Sequence, residues 1–166
     1  MSESLIFGTV KRFAIEISQP AKKARIRVWA KGTPFGEFKR SGELLHSVQD
    51  LRLFLRHLDS LTERALARKT PEQIYTWLLE TPSQAQFSKR RKYIRFLGDQ
   101  MDHLTMFTRL HEGQLEWTFC DHRGNKKPTS LLDTPPMPRI TTLLLDKETV
   151  VKVCSKYVAW GEQLPV

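Results

Sequence analysis

Two neighbouring runs near the start of the chain constrain its fold more than anything else in the sequence. Phe13, Ile15 and Ile17 alternate with Arg12, Ala14, Glu16 and Ser18; Ala24, Ile26, Val28 and Ala30 alternate with Arg25, Arg27, Trp29 and Lys31. A repeat of two sends successive side chains to opposite faces of a strand, so each run predicts a strand with one apolar face. The spacer Gln19-Pro20-Ala21-Lys22-Lys23 joins strands 12–18 and 24–31 as an antiparallel pair. Such a pair needs a cover for its apolar face, and the remaining chain must supply it.

Gly32-Thr33-Pro34 turns the chain toward a third short strand around 35–38, closed by Gly42. Ser47 reads as an N-cap with Asp50 three residues on. Val48, Leu51, Leu55, Leu58, Thr62 and Ala65 follow at helical steps and predict an amphipathic helix through about Ala67. Thr70-Pro71-Glu72-Gln73 has the form of a capping box, with Ile74, Trp77 and Leu78 as its apolar stripe and a stop near Thr81-Pro82. A third helix is expected over 85–97, ending at Gly98. Residues 104–110 and 114–121 read as a hairpin around Glu112-Gly113. A strand over 139–145 and a last helix capped by Asp146, with Val150, Val153, Tyr157 and Trp160 at helical spacing, complete the chain. No repeat appears, and Thr134-Pro135-Pro136-Met137-Pro138 reads as an extended connection. The expectation is one α+β domain over residues 1–166: an antiparallel sheet with helices packed mainly on one face, the 48–66 helix lying across strands 12–18 and 24–31.

A chain of 166 residues, 40% apolar and 10% aromatic, can bury one core. No apolar stretch of seven precedes Lys11-Arg12, and nothing later approaches the roughly eighteen residues that span a bilayer, so a cytosolic location without a membrane partner is expected. Cys120 and Cys154 are too few for a disulfide framework and read as reduced core thiols. The net charge of +9 raises a polyanionic partner as a possibility. Residues 1–83 hold 14 basic and 9 acidic side chains and residues 84–166 hold 13 and 9, so the charge forms no separate tail.

Catalysis needs a nucleophile, a base and a charge stabiliser brought together. The glycines form no GxxxxGK[ST] or GxGxxG loop. Cys120-x-His122 offers two zinc ligands without a second pair. His103, His111 and Asp102 are the residues from which general acid/base work could be built, beside the plainer reading of polar strand ends. No enzymatic role, cofactor or metal is implied.

Two basic features offer partner-binding residues. Lys89-Arg90-Arg91-Lys92-Tyr93-Ile94-Arg95 sets five cations on the expected third helix, with Phe87, Ile94 and Leu97 facing the core. Arg90, Arg91, Tyr93 and Arg95 are candidates there for contact with phosphate or an acidic protein face; a solvated helix face is the structural alternative. Arg25, Arg27, Trp29 and Lys31 share the polar face of strand 24–31, and a tryptophan among arginines is a composition enriched at interface hot spots. A cross-strand ladder with Glu16 is the structural alternative.

Ile6-Phe7-Gly8, Phe13-Ala14-Ile15-Glu16, Val28-Trp29-Ala30-Lys31-Gly32, a Gly36-containing third strand, and Ser47-Val48-Gln49-Asp50-Leu51 opening a helix together resemble the immunity protein 42 family. The resemblance covers about the first sixty residues. Thr9-Val10 after Gly8 departs from the Asp-Pro common there. It implies a cytosolic antidote that binds a toxin's C-terminal domain, such as one from contact-dependent growth inhibition, in a one-to-one complex and blocks it by occlusion. A basic nucleic-acid-binding module is the alternative.

Overall fold

A computed structural model describes residues 4–18, 23–62, 64–80, 83–125 and 136–164, and of Phe87 the backbone alone. The spacer 19–22, the stop at Thr81-Pro82, residues 134–135 of the proline-rich stretch and the Phe87 side chain lie outside that description.

The domain is α+β, and its strands divide into two antiparallel sheets. The first holds β1 (Ser4–Thr9), β2 (Phe13–Ser18), β3 (Lys23–Ala30) and β4 (Thr33–Phe35) in that order, with β5 (Gly42–Glu43) also on β3. Next come the helices α1 (Leu44–His57), α2 (Arg64–Ala67), α3 (Pro71–Leu79) and α4 (Gln84–Arg91). The second sheet, β6 (Ile94–Arg95), β7 (Leu104–His111), β8 (Gln114–Asp121) and β9 (Arg139–Leu145), precedes the final helix α5 (Lys147–Gly161).

Register explains how the sheets meet. Phe13, Ile15 and Ile17 pair with Ala30, Val28 and Ile26, so these residues line one buried face. Phe7 pairs with Ile15 and carries that face onto α5, where its ring lies 5.3 Å from both Tyr157 and Trp160. At the other end Phe13 meets Trp117 of β8 at 5.1 Å, and Phe35 of β4 stacks on Phe119 at 3.6 Å. The apolar face of the first sheet is thus shared between a helix and the second sheet. Trp117, fully buried, is the junction and also touches Phe54 of α1. On the opposite face of β8, Glu116 holds Arg109 through two bonds of 2.7 and 3.1 Å, and Arg109 Nη1 donates to the Leu66 and Lys69 carbonyls at the end of α2.

Several expectations are met. Thr70 and Gln73 form the reciprocal capping box, Asp146 Oδ2 caps α5 by accepting from Thr149 N at 2.8 Å, and Glu112 and Gly113 take the positive φ values of a tight hairpin turn.

Others are corrected. Ser47 is no N-cap: α1 begins at Leu44, directly after the β5 pairing, and Ser47 Oγ is buried between the Leu44 carbonyl and the Tyr157 hydroxyl at 2.7 and 2.6 Å. Helix α1 stops at His57 because Leu58–Ser60 tightens into a 3-10 turn and the Leu61 carbonyl accepts from Leu110 N of β7. Across β1 and β2 lies α5, and α1 packs on α5, with Ser47 bonded to Tyr157 and Val48 close against Gly161. The helix expected over 85–97 ends at Arg91. Beyond it Tyr93, Arg95 and Leu97 are buried at every second residue, and Ile94 and Arg95 pair with Phe107 and Met106. Finally, β1 was not among the expected strands.

Candidate functional site

The outer face of the first sheet is built by β2 and β3. Register sets Glu16 opposite Arg27, Ala14 opposite Trp29 and Ser18 opposite Arg25, all on the face away from Ile15 and Val28. Glu16 Oε2 is the common acceptor there, taking bonds from Arg27 Nη2 at 2.7 Å, Arg27 Nε at 3.0 Å and Trp29 Nε1 at 2.6 Å. The Arg27 guanidinium also lies over two rings, 4.7 Å from Trp29 and 4.4 Å from Phe38. Burial pushes the Glu16 carboxyl upward, but the bonds from Trp29 and Arg27 and the Arg27 charge outweigh it and hold the group below its ordinary value. It is a carboxylate at neutral pH. Arg27 and Trp29 remain partly exposed, Arg25 is exposed, and Ile6, opposite Glu16 on β1, is 45% exposed.

Lys31 does not join this face. It occupies the β3–β4 turn with φ +50, which turns it out of the strand's alternation. Phe38, which completes the ring contacts of Arg27, was missed: it follows β4 in an irregular segment at φ +54, where no periodicity signals it.

The structure takes the 89–95 run apart. Arg90 reaches back to the C-terminal end of α3, donating to the Trp77 carbonyl at 2.5 Å and to the Glu80 carbonyl, with its charge 4.4 Å from the Trp77 ring. Arg91 bonds the Ile94 carbonyl at 2.7 Å and Asp50 Oδ1 at 3.2 Å. Arg95 is 4% exposed, paired with Asp50 at 3.7 Å and set over Phe54. Burial lowers its pKa to about 10, against the pull of Asp50, so it stays charged. Tyr93 is buried beside Trp77. Arg90, Arg91, Tyr93 and Arg95 therefore hold elements together, and no single helix face presents them.

The histidines do not converge. His103 is affected by Glu37, Arg123 and Asp121, and burial above all lowers its pKa. His111 faces Glu112 at 4.0 Å, and His122 Nε2 contacts Thr105 Oγ1 at 2.8 Å. Asp121 is taken up by Arg123 through bonds of 3.0, 3.0, 3.0 and 2.5 Å, and Arg123 reaches Glu37 at 3.7 Å, which straps the segment after β4 to the end of β8. Burial lifts Cys120 and Cys154 to about 12, so both are neutral thiols. Among the described residues no group of three or more His, Cys, Asp or Glu side chains can hold a metal ion, and no helix is long and apolar enough to cross a membrane.

Compared with family models, with curated proteins and with solved structures, the chain matches none.

Proposed function

We propose that this chain is a binding protein of the antidote kind, which captures a toxin domain one-to-one and neutralises it by occlusion, using the outer face of the first sheet. The observation that carries this reading is the Glu16–Arg27–Trp29–Phe38 layer. Its arginine and tryptophan are ordered in advance by one buried carboxylate and two ring contacts. Anchors fixed before binding lose little side-chain freedom on association, and arginine and tryptophan are the residues most enriched among interface hot spots. Exposed Ile6 and Arg25 extend the layer on either side. With Arg25 and Arg27 there, the complementary surface is acidic. The immunity protein 42 resemblance supports the toxin as partner. The nucleic-acid alternative retains the net charge of +9 but not the cationic helix on which it leaned.

Co-expression with candidate toxin domains drawn from the neighbouring genes tests the proposal. Co-purification in one-to-one ratio and rescue of growth are expected. Failure to associate at micromolar concentration, with cells left sensitive, refutes it.

A further inference from the structure

Strands β1 and β4 close the order of the first sheet, and β6 and β9 that of the second. An outer strand carries backbone N–H and C=O groups with no neighbour on one side, and folded proteins blunt such edges by shortness, proline, charge or a break in the extended backbone. Three of the four are blunted. β4 has three residues with Pro34 at its centre, β6 has two, and β1 is broken at Gly8, where φ is +99. β9 is different: Arg139–Leu145 runs for seven residues without a proline or a positive φ, and its one charge, Arg139, stands at the first position.

Among the described residues β9 pairs with β8 alone. Residues 140–143 are only half-buried and Leu144 is 39% exposed, whereas β8, one strand further in, is buried over 115–121. The strand also reads alike in both directions about Thr142. In an antiparallel pair of two β9 strands centred there, Thr142 faces Thr142 of the second copy, Ile140 faces Leu144, and Thr141 faces Leu143, each of the last two pairs occurring twice by symmetry. Close contacts between aliphatic and threonine side chains facing one another stabilise an antiparallel ladder. Two copies of a chain of net charge +9 repel, so contact between them is least opposed where charge is absent, and residues 140–145 carry none.

We infer that two copies of this chain associate through β9, antiparallel about a two-fold axis at Thr142, so that the four-stranded sheets of both copies continue into one another. A single strand pair of seven residues is smaller than a standard interface of about 800 Å² per partner, so the association is a micromolar one. The contact uses none of Arg25, Arg27, Trp29 or Phe38, and each copy keeps its own first-sheet face. Dimerisation and toxin capture therefore stand or fall separately.

The test is sedimentation of the full chain from low micromolar to several hundred micromolar, with amide hydrogen exchange at both ends of the range. Wild type should pass from monomer to dimer, and the amides of residues 140–144 should exchange more slowly at the high end. Leu144→Lys, at an exposed position, should weaken the dimer by about tenfold or more by setting a cation on the edge, with the urea midpoint unchanged. Thr142→Cys should form a disulfide-linked dimer on mild oxidation, because facing residues of an antiparallel pair stand about 4.5–5.5 Å apart at Cα, within the span that a disulfide bridges. Cys120 and Cys154 are buried, and Ser155→Cys on the exposed side of α5 should not cross-link. A monomer at the highest concentration overturns the inference, as does exchange at 140–144 that is independent of concentration. A dimer indifferent to Leu144→Lys, or one cross-linked by Ser155→Cys and not by Thr142→Cys, overturns the assignment to β9.

Discussion

Substituting Glu16 by Gln strikes the residue on which the proposed binding face is organised. One oxygen, Oε2, accepts three bonds, two from Arg27 and one from Trp29. Hydrogen bonds to a charged partner contribute about 1.5–3 kcal/mol each and are not additive. The Arg27 side chain keeps 24% of its surface and recovers hydration when released, which places its loss at the low end; Glu16, at 8%, cannot. The amide also turns an NH2 toward the guanidinium in one of its two orientations. A cost of about 2–4 kcal/mol follows at neutral pH, measured as a shift of the urea midpoint at constant slope. The pH dependence gives a second readout. The Glu16 carboxyl lies below its ordinary value of 4.5 in the folded state, so its stabilisation is present above that value and is lost as pH falls through the folded-state pKa. The gap between wild type and Glu16→Gln should therefore narrow as the pH falls below 4.5. A gap under about 0.5 kcal/mol at neutral pH, or one that does not narrow on acidification, would refute the reasoning.

Other consequences follow from the same geometry. Asp50→Asn leaves Arg95 buried without its counter-ion and should cost about 3–5 kcal/mol by urea unfolding, while the double variant with Arg95→Met should cost less than the single one. Leu51→Ala, at a fully buried position on α1, should cost about 2–5 kcal/mol, and Leu55→Ala, only half-buried, clearly less. Trp117 carries a buried Nε1 without a hydrogen-bond partner, so Trp117→Phe should be far milder than Trp117→Ala at about 3–5 kcal/mol, compared by thermal and urea unfolding. Cys120 and Cys154, both buried with pKa values of about 12, should react with a thiol reagent near neutral pH only as fast as the chain unfolds.

The elements legible in the sequence are those whose signal is local. The Thr70 box, the Asp146 cap and the Glu112-Gly113 hairpin each depend on neighbouring residues, and all three stand in the structure. Helix α1 was misplaced at both ends because distant groups decide them: Tyr157 claims the Ser47 hydroxyl, and Leu110 claims the Leu61 carbonyl. Strand β6 was hidden by Arg95, a charge at a buried position, which periodicity reads as solvent-facing. Strand β1 was hidden by Leu5-Ile6-Phe7, an apolar triplet without alternation, and with it went Ile6 at the rim of the proposed binding face. Alternation revealed that Arg25, Arg27 and Trp29 share a face. It did not reveal that Glu16 and Phe38 order that face, that Lys31 turns away from it, or that the strands split into two sheets, because pattern reports a strand's faces and not its neighbours.

The most direct test of the account is the dissociation constant of the proposed complex with a candidate toxin domain drawn from the neighbouring genes, measured for wild type, Trp29→Ala, Ile6→Asp and Arg25→Glu. Arg25 is exposed, so Arg25→Glu reports on the surface alone, whereas Ile6→Asp also sets a carboxylate across from Glu16 and is read only with its fold checked by urea unfolding. Trp29→Ala should weaken the complex by about 2 kcal/mol or more, mainly through faster dissociation, and Arg25→Glu should slow association and make it more salt-sensitive. Ile6→Asp should weaken it as well, by placing a carboxylate against an acidic surface. Unchanged affinity in all three variants, with the complex intact, would contradict the assignment of the outer face of the first sheet as the binding surface.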